Sequence, residues 1–196
     1  MGIDFVILWV DGNDPDWQRE KSKYDSNVND DSNSAGRYRD WGLLPFWFRG
    51  VEKFTPWVDK IHFVTWGHIP EFLNLNNPKL NIVKHTDFIP EEYLPTFSSH
   101  AIEMNIHRIP GLSEKFVYFN DDTFIVRHMD EKSFFNDGLP CTYGGEVPMV
   151  FQGDTGIWQH AAVNGMGVIN HHFNKKEQLK SFNKKYISSS YRWQDN

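Results

Sequence analysis

The run Ile3-Asp4-Phe5-Val6-Ile7-Leu8-Trp9-Val10 constrains this chain more than any other segment. It is short, bulky and apolar at every position but Asp4. It does not alternate, so it reads as a strand buried within a sheet. Asp11-Gly12-Asn13-Asp14-Pro15 then breaks it sharply. Comparable runs recur at Lys60 to Thr65, Asn81 to His85 and Lys115 to Phe119, and Thr123 to Arg127 continues the extended pattern. Between them, helices are expected from near Leu43 to Phe54, with Pro45 in the first turn, and from Ser98 to Ile109, closed by Pro110-Gly111. Asp130 to Phe135 reads as a short helix, and Ile157 to Phe173 and Lys175 to Ile187 as longer ones. Strands alternating with helices predict an α/β sandwich, its central sheet mainly parallel and flanked by helices.

The length of 196 residues suits one domain over 1–196. Aromatic residues make up 16%, enough to argue against disorder along the whole chain. The stretch 25–36, DSNVNDDSNSAG, is the exception and is expected to be a mobile loop, either a binding lid or an insertion without a role. A net charge of −6 excludes a uniformly basic nucleic-acid binder. Cys141 is the single cysteine, which excludes an intramolecular disulfide and a multi-cysteine zinc site. No positive region precedes the first apolar stretch, and no apolar run approaches the ~20 residues of a membrane helix. Any meeting with a membrane is therefore expected to be peripheral or through a missing segment. From Asn174 onward six Lys or Arg face Glu177 and Asp195. That local excess suits phosphates, a membrane surface or a solvated helix face.

Four groups of residues could carry chemistry. Asn120-Asp121-Asp122 directly follows the strand-like KFVYF. Adjacent carboxylates are costly to bring together unless solvated or neutralised by a cation, and ligands of open α/β sheets bind outside the carboxyl ends of strands. A divalent ion there can coordinate carboxylate and phosphate oxygens together. The competing reading is an ordinary turn. Asp11, Gly12 and Asp14 follow the first strand; the carboxylates could bind a ribose, a base edge or a sugar hydroxyl, with Gly12 admitting a close ligand. Taken alone, the motif is better explained as a turn plus helix cap. Arg37 and Arg39, beside Asp40, suit a pyrophosphate clamp or a surface ion pair. On the helix from Ser98, Ile102, Ile106 and Ile109 share one face, leaving His100, Glu103 and His107 on the opposite one. That stripe either lines a cleft or faces solvent. No P-loop, G-x-G-x-x-G or nucleophile elbow occurs.

Taken together, these segments resemble the Stealth family of sugar-phosphate transferases. The likeness runs through Ile3-Asp4-Phe5-Val6, Trp9-Val10-Asp11-Gly12-Asn13-Asp14, Arg37-Tyr38-Arg39-Asp40 and Val51-Glu52-Lys53-Phe54-Thr55-Pro56-Trp57-Val58. It continues through Ile61-His62-Phe63-Val64-Thr65, Ser99-His100-Ala101-Ile102-Glu103 and Tyr118-Phe119-Asn120-Asp121-Asp122. The resemblance implies a GT-A-like nucleotide-sugar-binding fold and transfer of a sugar-1-phosphate from a UDP- or CDP-linked donor to a glycan hydroxyl. It implies Mg²⁺ or Mn²⁺ held by Asp121 and Asp122, a donor pocket involving Asp11 and Asp14, and Arg37 and Arg39 on phosphates. His100 and Glu103 would line the site. It also implies a cytoplasmic location, with a peripheral position at the inner face of the membrane left open. After Asp40 the family commonly reads Asn-Gly-Glu-Leu-Arg, where this chain has Trp41-Gly42-Leu43-Leu44-Pro45. The family's further downstream regions are not reproduced, so the chain is expected to be a catalytic domain lacking its last third. An ordinary glycosyltransferase and a non-catalytic nucleotide-sugar-binding module are the alternatives.

Overall fold

A computed structural model describes residues 2–24, 38, 40–141 and 157–174. The chain divides into two units, Met1–Cys141 and Thr142–Asn196.

The first unit is built on four parallel strands in the order β3-β2-β1-β4. These are β1 (Asp4–Leu8), β2 (Ile61–Thr65), β3 (Leu80–Lys84) and β4 (Phe116–Phe119). β1 is interior, paired with β2 on one side and β4 on the other. Its consecutive residues Phe5, Val6 and Ile7 are all fully buried, which explains its non-alternating sequence. Odd and even positions feed two separate cores. Phe5, Ile7, Phe63 and Phe119 pack on one face against Leu44, Trp47 and Val51 of α2 (Leu44–Phe54). Val6, Val64 and Val83 pack on the other against Phe88, Ile89, Ile102, Ile106 and Ile109. The expected helix over 98–109 is α3 (Ser99–Asn105) followed by a 3₁₀ turn at Ile106–Arg108. Its three isoleucines are buried as its period requires.

Three elements depart from the sequence reading. A helix, α1 (Pro15–Ser22), follows β1 directly. The segment Thr123 to Arg127 is not a strand. It runs instead against α2, so close that a Cβ at Gly50 would lie 2.7 Å from the Ile125 carbonyl oxygen. Over 130–135 only Glu131–Ser133 is helical, as a 3₁₀ turn. Two-residue strands β5 (Phe135–Asn136) and β6 (Leu139–Pro140) then pair antiparallel, and Cys141 beyond them is exposed. In the second unit α4 (Ile157–His172) spans the expected helix, through Gly165 and Gly167. The loop 25–36 and the helix expected at 175–187 lie outside the described residues. Among the described residues no helix is long and apolar enough to cross a membrane.

The strands are cross-tied by one buried carboxylate. Asp4 is fully buried. Its Oδ1 accepts the Lys60 amide at 3.1 Å, and its Oδ2 accepts the Ser113 amide at 2.8 Å. His62 Nε2 lies 3.1 Å from the same Oδ2, and His62 Nδ1 lies 2.9 Å from Asn81 Nδ2. Asn81 donates to Nδ1, which leaves the ring proton on Nε2 to be donated to Asp4. Burial raises the Asp4 pKa, but the hydrogen bonds from Ser113 and His62 outweigh it and hold the carboxyl below its ordinary 3.8. A depressed native pKa contributes stability above the unfolded-state value, about 3.9, that is lost as pH falls through the folded one. Asp4→Asn puts an amide N–H against a donor. In urea unfolding near pH 7 it should cost about 3 kcal/mol, and the loss of stability on acidification should be shallower than in the wild type. Equal stability and an equal acid limb would refute this account of the sheet.

Candidate functional site

Because all four strands are parallel, their carboxyl ends share one edge, and three of the loops there carry polar residues. Ligands of such sheets bind at this edge.

After β4, Asn120-Asp121-Asp122 forms a turn in which the Thr123 amide donates to the Asn120 carbonyl at 3.1 Å. This is the turn that the bland reading expects, yet its electrostatics are unusual. Partial burial pushes the Asp121 carboxyl above the ordinary carboxylate range, the neighbouring Asp122 charge pushes it further, and Asp40 adds to both. Asp40 therefore belongs to this acidic cluster, and its Oδ1 accepts the Gly42 amide at 2.7 Å. Tyr118 connects the turn to α3. Its hydroxyl lies 2.7 Å from Asn120 Oδ1 and 3.1 Å from Glu103 Oε1. The single phenolic hydrogen serves both acceptors. Burial first, then the Glu103 charge and hydrogen bond, raise the Tyr118 pKa and keep the hydroxyl protonated. Glu103 is thus brought to the acidic turn, while His100 lies exposed on the first turn of α3.

After β1 the residues are committed to local structure. Asp11 Oδ1 accepts the Asn13 amide at 2.9 Å. Asp14 caps α1, its Oδ1 accepting from the Asp16 and Trp17 amides at 2.8 Å each. The Trp17 bond is the largest influence on the Asp14 carboxyl, which sits below its ordinary pKa. Its Oδ2 lies 3.4 Å from His68 Nδ1. Gly12 is explained by the chain itself rather than by a ligand: a Cβ there would lie 2.1 Å from the Tyr38 carbonyl oxygen. Tyr38 in turn packs on Trp17 at 4.9 Å. Arg37 and Arg39 lie outside the described residues.

Sequence reasoning missed Tyr118 and His68. Tyr118 had a signal, since it lies two residues before Asn120 and so on the same sheet face. His68 follows β2 and is only 8% exposed, between the rings of Trp9 at 6.0 Å and Trp66 at 5.4 Å. Its Nε2 and His85 Nδ1 are buried without a hydrogen-bond partner. Burial, with a smaller push from His68, lowers the His85 pKa to about 4, so that ring is neutral near pH 7.

A hard divalent cation fits the acidic turn, because its charge would favour the ionised Asp121 that partial burial and the Asp122 charge oppose. Among the described residues no three His, Cys, Asp or Glu side chains converge into a ready-made metal cage. This fits an ion that takes one or two carboxylates and fills its shell with phosphate oxygens and water. If Tyr118 is the tie between α3 and the turn, Tyr118→Phe should lower urea-unfolding stability by about 1 kcal/mol. An unchanged midpoint would sink that role.

With this geometry in hand, comparison with known proteins is direct. Residues 1–29 match Stealth protein CR1, conserved region 1, and residues 37–143 match Stealth protein CR2, conserved region 2. The chain is similar to the capsular polysaccharide phosphotransferase WcwK of Streptococcus pneumoniae, 44% identical over 191 residues that cover 96% of this chain and 56% of that protein. It is also similar to the receptor polysaccharide phosphotransferase WefC of Streptococcus gordonii, 48% identical over 91% of this chain and 54% of the relative. A third relative is the capsular polysaccharide phosphotransferase CpsJ of Streptococcus thermophilus, 42% identical over 96% of this chain and 79% of its own length. The chain thus spans little more than half the length of WcwK and WefC. The region 2 match alone covers more than half of its residues, and the chain belongs to the Stealth family.

Proposed function

We propose that this chain forms the donor-binding and metal-binding part of a sugar-1-phosphate transferase of capsular or exopolysaccharide synthesis. The observation that carries the reading is the Asp121–Asp122 pair at the carboxyl end of β4, its first carboxyl raised by partial burial and then by the neighbouring charge. The names of the relatives support phosphotransfer, and the parallel sheet flanked by helices is compatible with a GT-A-like nucleotide-sugar fold. In this reading Asp121 and Asp122 hold Mg²⁺ or Mn²⁺. Such an ion supplies neutralisation of charge on the donor pyrophosphate and on the departing phosphate. Asp40 and Asn120 sit beside that pair, and Asp11 and Asp14 shape the wall after β1. Arg37 and Arg39 are assigned to the donor phosphates. His100 and Glu103 line the site in this reading, with Tyr118 holding Glu103 by a hydrogen bond.

The acceptor hydroxyl attacks the phosphorus that bears the sugar. A new P–O bond to the acceptor forms as the bridging P–O bond of the pyrophosphate breaks. The nucleoside monophosphate leaves with the bonding electrons, and the hydroxyl proton is released. Positioning and charge neutralisation are the main contributions the protein can make to such a step.

The nucleotide product tests the reaction. With a UDP- or CDP-sugar and an acceptor, UMP or CMP should accumulate; release of UDP would assign ordinary glycosyl transfer instead. Calorimetry tests the metal site. Asp121→Ala and Asp122→Ala should each abolish Mn²⁺-dependent nucleotide-sugar binding with the fold intact, and wild-type affinity in both would refute the assignment. Because the Asp121 pKa is raised, protons compete with the ion at a higher pH than they would at an ordinary aspartate. On acidification Mn²⁺ affinity should accordingly begin to fall at a higher pH than at a site built on an ordinary aspartate.

A further inference from the structure

An apolar patch with a cationic border begins where the acidic turn ends. Trp41 is 69% exposed, Phe46 57%, Leu43 45% and Val126 76%. Trp41 directly follows Asp40, and Val126 lies four residues beyond Asp122. Between α2 and the segment 124–126 runs a shallow groove of about 440 Å³, lined by Leu43, Phe46 and Val126 together with Arg49 and Lys53. Both cations lie over rings of the patch: the Arg49 guanidinium is 5.4 Å from the Phe46 centroid, and the Lys53 ammonium is 5.2 Å from that of Phe54. Arg127 is exposed immediately beyond Val126. The acids nearest in sequence are Glu52 on α2, Asp40 beside Trp41, and Asp122 in the candidate site, all exposed.

We propose that this patch is a docking surface for a bilayer rich in anionic phospholipid. Protein carrying a net charge of −6 is repelled by such a bilayer as a whole, so local chemistry must select it. The patch offers that chemistry. Trp41, Phe46 and Val126 each expose more than half of their surface and Leu43 45%, which suits insertion between headgroups better than it suits a partner helix, whose anchors sit in a groove. Arg49 and Lys53 lay their stems along the same rings and reach outward, which sets their charges at headgroup level while the carbon goes deeper. The lining contains no acidic side chain. Docked this way, the edge bearing Asp40, Asp121 and Asp122 faces the lipid boundary, where a membrane-borne acceptor would present its hydroxyl. That last point rests on the phosphotransfer reading, whereas vesicle binding does not, so either can fail alone.

Sedimentation of the full chain with vesicles tests the proposal, without nucleotide or metal. The wild type should associate with vesicles of phosphatidylcholine containing about one-third phosphatidylglycerol, and far less with phosphatidylcholine alone. Added salt should weaken the association. The double variant Phe46→Asp/Val126→Asp and the double variant Arg49→Glu/Lys53→Glu should each lower partition by about tenfold or more. Leu139→Asp, at a site 70% exposed in β6, should bind as the wild type does. Circular dichroism checks folding, and if the apolar variant does not fold the charge variant decides. No association of the wild type with the anionic vesicles overturns the proposal, as does wild-type partition of the folded patch variants. A dimer seen by light scattering, dissolved by Phe46→Asp, with no vesicle binding would assign the patch to a second copy of the chain instead.

Discussion

The buried carboxylate of Asp4 is the tie on which the sheet depends. It lies in β1 and accepts from the residue before β2, from His62 within β2, and from the loop before β4. Through His62 and Asn81 it reaches β3 as well. A buried charge is costly unless it is fully hydrogen-bonded, and here each of its contacts comes from a different part of the sheet. A register slip in one strand would leave a donor or an acceptor stranded. The carboxylate therefore favours the register in which the carboxyl ends of the strands come level. It lies toward the amino-terminal end of β1, away from the edge that carries the acidic turn.

That distance matters, because the opposite edge is held less economically. Asp121 and Asp122 sit side by side with Asp40 near them, an arrangement that raises the Asp121 carboxyl and favours a positive neighbour. Tyr118 partly compensates by gathering Asn120 and Glu103 onto one hydroxyl. Asp14 divides its two oxygens between capping α1 and facing His68. The loop after β1 is thereby tied to the loop after β2. The candidate site is thus a set of loops, each held to a neighbour by a single polar side chain and all supported by a sheet fixed elsewhere.

The parts of the fold legible in sequence are those where a residue's neighbours in the chain decide its environment. The interior strands β1 and β2 were readable because strands buried on both faces need bulky runs, the edge strands β3 and β4 were readable from short apolar runs, and the period of the isoleucines placed α3. α1 escaped because its sequence PDWQREKS buries only Trp17, leaving almost no apolar period, although Asp14-Pro15 is a recognised start signal. Thr123 to Arg127 misled in the opposite sense. It has the composition of a strand, but α2 occupies the place where a partner strand would pair with it. The Asp4 network was invisible for another reason: His62 is 58 residues away, and no local pattern announces a partner at that distance. For Asp14 the sequence held both a cap and a ligand role, and the geometry shows the cap. At Gly12 the sequence announced a close approach without naming its source, and the backbone of Tyr38 makes one.

The missing side chain at Gly50 has a mechanical meaning. With the Ile125 carbonyl oxygen 2.7 Å from where a Cβ of residue 50 would stand, helix and segment meet backbone to backbone at this point, with no side chain of residue 50 as a cushion. Distances across such a contact are set by hard atoms and change little under load. The stretch leaving the acidic turn therefore has a fixed fulcrum two residues beyond Thr123, and any adjustment of the turn around a ligand must be made on the short arm before it.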